Sequence, residues 1–285
     1  ALDPSWVLPV PSLAQGLIAA GAAALLLLSR RPRQQLAVVA LAAALGCGAE
    51  WQLRRSEKPE GQLRVTFLDV GQGDATLIDR PDGRAMLIDA GGNPQRGPDP
   101  GERVLAPLLA ARRRAELDVV VLTHPHPDHF GGLRAVLDRV SIDELWDSGQ
   151  SAAEADLAGT SREALALVES LEARGTRVLR PPALCGAPRS FGGAQVEVLW
   201  PCPSFDAGFD PNDNSLVLRI DYAGRSLLFT GDIEGHAEAG LLARRRSALR
   251  ADVLKVPHHG SRTSSSEAFL RAVSPQLAII SAGAV

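Results

Sequence analysis

Five of the six histidines in this 285-residue chain fall in two short clusters, His124-Pro-His126-Pro-Asp128-His129 and His258-His259. Imidazole and carboxylate groups gathered this closely suit a borderline divalent cation, and a second cluster far downstream can close the site from another strand. The prolines at 125 and 127 force extended geometry on the residues before them. Residues two apart in an extended segment face the same side, so His124 and His126 can point at one ion. Asp128 and His129, one turn further on, are placed for a second. The chemistry expected of such a pair of divalent ions is hydrolysis by an activated water, which Asp128 is a candidate to orient.

The elements around the clusters must hold them. Residues 118–122 read as a short buried strand ending at Thr123, directly before the first cluster. Residues 64–70, 75–79 and 85–89 read as an antiparallel meander with a turn at Pro81-Asp82-Gly83, and a Gly/Pro-rich loop over 91–101 follows. Helical spacing marks 104–113, 133–140, 152–174, 234–249 and 265–273. Further strands are expected at 144–146, 196–199, 215–221, 226–230, 253–256 and 277–280. Two βββ-plus-βα halves predict an α/β fold, a four-layer αββα sandwich.

Composition narrows the function. Aromatic residues make up only 4% of the chain, and Trp6, Trp51, Trp146 and Trp200 are too scattered to form a base-stacking platform. A net charge of −3 gives no general pull toward nucleic acid, so any such binding must come from local patches and metals. Arginine runs at 112–114 and 244–246 are read as solvated helix faces in preference to phosphate tracks. Cys47, Cys185 and Cys202 form no CxxC motif; Cys185 and Cys202 could pair in an oxidising compartment, but two unpaired residues in or near the core are the favoured expectation.

Residues 5–29 carry no charge and finish in a dense apolar run over 16–28, and a second run covers 36–49, with Arg30, Arg31 and Arg33 between them. The first run reaches bilayer-spanning length if extended back toward Val7, while the second is marginal. The expected organisation is a membrane-embedded end over 1–52, a linker over 53–62 and a hydrolase domain over 63–285, truncated at its C-terminus. The positive-inside rule puts the arginine loop in the cytoplasm and the domain outside, although Arg54, Arg55 and Lys58 oppose that orientation.

The string HPHPDH resembles the HxHxDH signature of the metallo-β-lactamase superfamily, and further matches follow in the expected order. Asp89 in LIDAGG resembles an acidic residue that supports the site from behind, Asp232 in LLFTGD the aspartate that bridges two metals, and His258 in KVPHHGS the last metal ligand. The histidine that usually completes the first ion's shell has no counterpart, and Asp213 in Asn212-Asp213-Asn214-Ser215 is the best chemical substitute. The resemblance thus implies metal ligands His124, His126, Asp128, His129, Asp213, Asp232 and His258, with Asp128 and Asp232 catalytic. Asp69, Asp89, Asn214, Ser215, His259, Ser261 and Thr263 are assigned supporting or substrate-contacting roles, and His236 is read as an exposed helix residue. Two divalent ions are implied, manganese or zinc, because a carboxylate-richer shell favours a harder ion than three histidines would.

FLDVGQGDA, NDNSLVLRI, LLFTGDIE and VPHHGS together resemble the C-terminal domain of ComEC, the membrane channel of bacterial DNA uptake. That resemblance implies a hydrolase degrading the DNA strand that is not transported. The partners would be single-stranded DNA, the membrane and the rest of a channel protein, at the bacterial inner membrane with the domain on its outer side. The competing expectations are a thioesterase, lactonase or small phosphodiesterase of the same fold, and a catalytically weak DNA-guiding module.

Overall fold

The structure is a computed structural model that describes residues 11–92, 99–153 and 160–283. It forms two compact units, Ala1–Lys58 with Leu108–Arg114, and Pro59–Pro107 with Ala115–Val285.

In the first unit, helix α1 (Leu13–Leu28) begins with a capping box. The Ser12 hydroxyl accepts the Gln15 N–H while the Gln15 side chain accepts the Ser12 N–H, which satisfies two donors that a helix start leaves orphaned. Helix α2 (Pro32–Ser56) opens on a proline, whose missing N–H costs nothing at the first turn. Gln15 Nε2 donates to Glu50 Oε2 at 3.1 Å, so the two helices run antiparallel. Neither helix contains a buried residue, and their leucines face outward. By length and composition α2 can cross a bilayer, whereas α1 is too short. This reverses the expectation from the apolar runs: α2 gains length by continuing past Trp51 to Ser56, into the expected linker. Any extension of the first run toward Val7 lies outside the described residues.

In the second unit, strands β1 (Arg64–Phe67), β2 (Ala75–Asp79), β3 (Ala85–Ala90), β4 (Glu116–Leu122), β5 (Ser141–Asp147) and β6 (Arg177–Leu179) form one sheet in that order. A second sheet runs β12 (Leu277–Ile279), β11 (Val253–Lys255), β10 (Arg225–Phe229), β9 (Val217–Tyr222), β8 (Ala194–Trp200) and β7 (Arg189–Phe191). The meander is antiparallel through β1, β2 and β3, and the strands after it are parallel. Alternation along each strand sorts its side chains between two faces. Ile78, Met86, Ile88, Val119, Val121 and Trp146 meet Val196, Val198, Leu218, Ile220 and Phe229 between the sheets. Val217, Leu228 and Leu254 face the opposite way, against Ala237 and Leu241 of helix α7 (Gly235–Arg244) and Phe269 and Val273 of α8 (Glu267–Val273). The other outer layer carries α4 (Pro127–Phe130), α5 (Gln150–Ala153) and α6 (Thr160–Ala173), while most of α3 (Ala106–Ala111) belongs to the first unit. In α6, Ala164, Leu167, Val168 and Leu171 make one buried stripe at helical spacing. The four-layer αββα sandwich follows.

Two edge strands, β6 and β7, went unread because each is three residues long and mostly half-exposed. The expected helix over 133–140 is instead a 3-10 segment, Gly131–Val136. Of the helix expected over 152–174, residues 154–159 lie outside the described set. Cys185 and Cys202 form a disulfide, against the favoured expectation, because β8 and the loop after β6 bring their Cα atoms to 5.8 Å. Cys47 is free and exposed.

Candidate metal centre

Interior strand β4 delivers Thr123 and His124 just past its C-terminal end, both buried. His126 caps α4 with extended backbone, as Pro127 after it requires, and α4 then carries Asp128 and His129 round one turn. His124 Nε2 lies 3.0 Å from His126 Nδ1. His129 Nε2 lies 3.2 Å from Asp232 Oδ2, and His124 Nε2 lies 3.9 Å from the same oxygen. His124, His129 and Asp232 are thus brought together, with His126 beside His124.

Asp89 supports them from behind. The register of β2 on β3 slips there, leaving Asp89 as an extra residue with φ of +55°, a left-handed conformation that a short acidic side chain tolerates. The bulge turns its carboxylate to accept the Thr123 N–H at 2.9 Å and the Thr123 hydroxyl at 2.8 Å, and brings it within 2.8 Å of His129 Nδ1. That contact orients the His129 ring so that Nε2 faces the centre.

The second histidine cluster arrives differently from expectation. An extended segment would send His258 and His259 to opposite sides, but Pro257–Gly260 is a tight turn with φ of +47° at His258 and +53° at His259. The turn directs His259 into the centre, where its Nε2 is 3.2 Å from Asp232 Oδ2 and 3.5 Å from Asp128 Oδ2. Its Nδ1 lies 2.9 Å from the Ser281 carbonyl. His258 faces away and pairs through Nδ1 with Glu234 at 2.7 Å, beside the Thr263 and Ser261 hydroxyls.

Asp213 is also displaced from its expected place. Its carboxylate accepts the Glu234 and Ala237 N–H groups at 2.8 and 3.0 Å, binding the start of α7, and lies 3.2 Å from His236. Orphan N–H groups at a helix start attract a carboxylate strongly, and here they take Asp213 away from the cluster. Ser215 is the residue of this segment that reaches the site, its hydroxyl accepting the Asp232 N–H at 3.1 Å. Asn214 clamps the backbone of Asp206. Asp69 is an exposed turn residue accepting the Gly71 N–H.

One further carboxylate, from the string FLDVGQGDA, reaches the site. Asp74 follows Gly73, whose φ of +126° and approach to Asp128 leave no room for a Cβ, which would sit 2.2 Å from the Asp128 carbonyl oxygen. Asp74 is buried, with Oδ1 3.4 Å from His259 Nδ1 and Oδ2 2.7 Å from the Lys255 ammonium. Lys255, Glu234 and Thr123 gave no local sequence signal, because each matters only through partners brought in from other strands.

The donor set fits divalent cations. Ligand atoms of His124, His129 and Asp232 lie within 4.8 Å of one another, as do those of Asp128, His129 and His259, and those of Asp74, Asp232 and His259. Buried His129 Nε2, His259 Nε2, Asp232 Oδ1 and Asp74 Oδ1 have no hydrogen-bond partner, and buried polar atoms are rarely left so without a reason.

Burial and the neighbouring charges shift the titrating groups of the site. Burial, reinforced by the charge of His129, keeps His124 well below the ordinary imidazole range and therefore neutral. Burial opposes charge on His129 too, but Asp232 and Asp89 outweigh it and raise that imidazole well above its ordinary value. Burial also opposes charge on His259, but the adjacent carboxylates of Asp128, Asp232 and Asp74 overcome it and push the imidazole up to about 11. Asp74, Asp128 and Asp232 are held below the usual carboxylate range despite burial, by these histidines.

A pH dependence follows for the metal-free protein. His259 titrates higher folded than unfolded, so its stabilisation is complete below about 6.5 and is lost as pH rises toward about 11. The carboxylates titrate lower when folded, and their contribution is present above about 3.8 and lost on acidification below it. Calorimetry in chelator should show melting temperature falling between pH 6.5 and 10. Metal uptake should release protons and tighten over the same range. A melting temperature that rises with pH in chelator would overturn this assignment of charge.

The fold and site define a hydrolase architecture with a carboxylate–histidine cluster at the ends of its strands. The chain belongs to the metallo-β-lactamase superfamily, whose sequence model, described as "Metallo-beta-lactamase superfamily", matches residues 68–284. Its relatives include ComEC-type competence proteins. ComE operon protein 3 of Bacillus subtilis is 31% identical over 234 residues, covering 77% of this chain and 28% of that protein. Competence protein ComA of Neisseria gonorrhoeae is 32% identical over 228 residues, covering 79% and 28%. The chain thus spans little more than a quarter of the length of these relatives. Among solved structures, CmlA, a diiron β-hydroxylase from Streptomyces venezuelae, aligns with a TM-score of 0.44 at 17% identity, over 77% of this chain and 44% of that one.

Proposed function

We propose that residues 63–285 form a metal-dependent nuclease that degrades the non-transported strand of DNA for an uptake channel. Residues 1–52 are the end of that channel's membrane-embedded region, and 53–62 the link between them. The observation that carries the enzymatic part is the set of buried donor atoms without partners, aimed at one centre from the start of β2, α4, the β10 end and the Pro257–Gly260 turn. His124, His126 and Asp232 would hold one ion, and Asp128, His129, His259 and Asp232 a second. Manganese or zinc at these positions would supply Lewis-acid stabilisation of phosphate charge and a lowered pKa for attacking water. Asp128 would orient that water, Asp89 would keep His129 in the tautomer that faces the centre, and Ser215 would hold the backbone of Asp232.

DNA as substrate is supported by the competence proteins among the relatives. The outer side of the inner membrane is supported by the Cys185–Cys202 disulfide, since such bonds persist in oxidising compartments, and by the arginines between α1 and α2. The test is incubation of the purified protein with end-labelled single-stranded DNA and manganese or zinc, beside His126→Ala. Metal-dependent cleavage lost in the variant is the expected result. Binding without cleavage in either metal would replace the nuclease with a DNA-guiding module. Turnover of a thioester or lactone with DNA left intact would select a different hydrolase.

A further inference from the structure

Beside the start of α7 lies a cleft of about 430 Å³ lined by Trp200, Phe205, Phe209, His236 and Arg244. In a chain that is only 4% aromatic, three aromatic side chains and a histidine ring share one cavity. The Phe209 and His236 rings are stacked, with centroids 5.2 Å apart and planes 19° from parallel. His236 is 77% exposed, so the outer face of that stack is open to solvent. The Arg244 guanidinium sits 6.0 Å from the Trp200 ring centroid.

The cleft is built rather than incidental. The register of β8 on β9 slips between Val198 and Trp200, and Trp200 packs with the α7 side of the sheet. Its indole N–H donates to the Asp213 carbonyl at 2.7 Å, and α7 approaches so closely that a Cβ on Gly240 would sit 2.7 Å from the indole. The loop carrying Phe205 and Phe209 is held by the Asn214 amide, which accepts from the Asp206 N–H and donates to the Asp206 carbonyl, both at 2.8 Å. Asp213 orients His236. One segment therefore frames the cleft through Asp213 and Asn214 and supports the metal centre through Ser215 on Asp232. His236 is four residues from Asp232, a separation of at most about 14 Å even for extended chain.

Resting on the nuclease assignment above, we propose that this cleft binds an unstacked base of the DNA strand engaged at the metal centre. The base extends the Phe209–His236 stack, and Arg244 meets the adjoining phosphate. Aromatic faces accept any base, because every base presents a π-face, whereas bases in a duplex are already stacked and stay out. Asp206, the acidic residue at the rim, is engaged with the Gly208 N–H and faces an exocyclic amine more readily than a phosphate.

The test uses the full chain in chelator, where cleavage cannot occur. Fluorescence anisotropy with labelled oligothymidylate should show affinity falling roughly 5- to 100-fold in Phe209→Ala and in His236→Ala, the range of one lost base stack. Binding of a duplex of equal length should stay within about twofold of wild type, and Phe209→Tyr, which keeps the ring, should bind like wild type. Wild-type single-strand affinity in both alanine variants, equal losses for single strand and duplex, or no single-strand binding by the wild type would each overturn the proposal. If wild type cleaves no DNA while the selective single-strand loss persists, the nuclease assignment falls and the base-binding cleft stands.

Discussion

His259→Ala is expected to lower metal-dependent turnover by more than about 100-fold, while His258→Ala stays within about tenfold of wild type. Removing a group that only orients a metal ligand typically costs 10- to 100-fold, so loss of a ligand itself should exceed that range. The His259 side chain is only 5% exposed, with Nε2 at 3.2 Å from Asp232, whereas His258 is turned out to Glu234 and is the more exposed of the two. Calorimetric titration with manganese or zinc supplies the second readout: His259→Ala should lose one of two bound ions and His258→Ala neither. Reversed effects would mean that the turn at Pro257–Gly260 flips when metal enters, and the ligand assignment would pass back to His258.

Lys255→Met is expected to destabilise the protein by about 3–5 kcal/mol, the range for removing one partner of a buried ion pair. The Lys255 ammonium is enclosed with the Asp74 carboxylate at 2.7 Å, and its remaining hydrogen bond is to the Val256 carbonyl. Without Lys255, Asp74 is a buried carboxylate whose nearest cationic neighbour is His259, the group that must lose its proton to bind metal. The double variant Lys255→Met/Asp74→Asn should recover much of the stability, because no buried charge is left uncompensated. Its metal affinity should stay low, because His259 has lost the carboxylate beside Nδ1. Denaturant titration and metal titration of the two variants separate the two effects. A single variant as stable as wild type would show that Lys255 carries no charge the fold depends on.

Much of the architecture was legible because it is periodic. The meander, the buried strand before the first cluster and the alternation of strand and helix near the C-terminus all follow side-chain spacing of two or 3.6 residues. The three-residue edge strands were not, since so short a segment carries no period. Length misled in the first unit, where the run judged marginal became the longer helix because polar residues continued it. The disulfide was hidden for a different reason, in that a sequence separation of 17 leaves the distance between two cysteines open until β8 is in place.

By itself the sequence determined the class of chemistry. His124, His126, Asp128 and His129 are placed by a buried strand, two prolines and one helical turn, all local covalent constraints, and Asp89 and Asp232 stand at strand ends in the same frame. Only the tertiary structure decided which downstream histidine meets them, because two left-handed residues in a turn override the alternation of an extended segment. The same holds for Asp213, drawn off by the start of α7, for Asp74 and Lys255, joined across strands, and for the aromatic cleft. Each of these depends on contacts between segments far apart in the chain, and no local pattern of residues records such a contact.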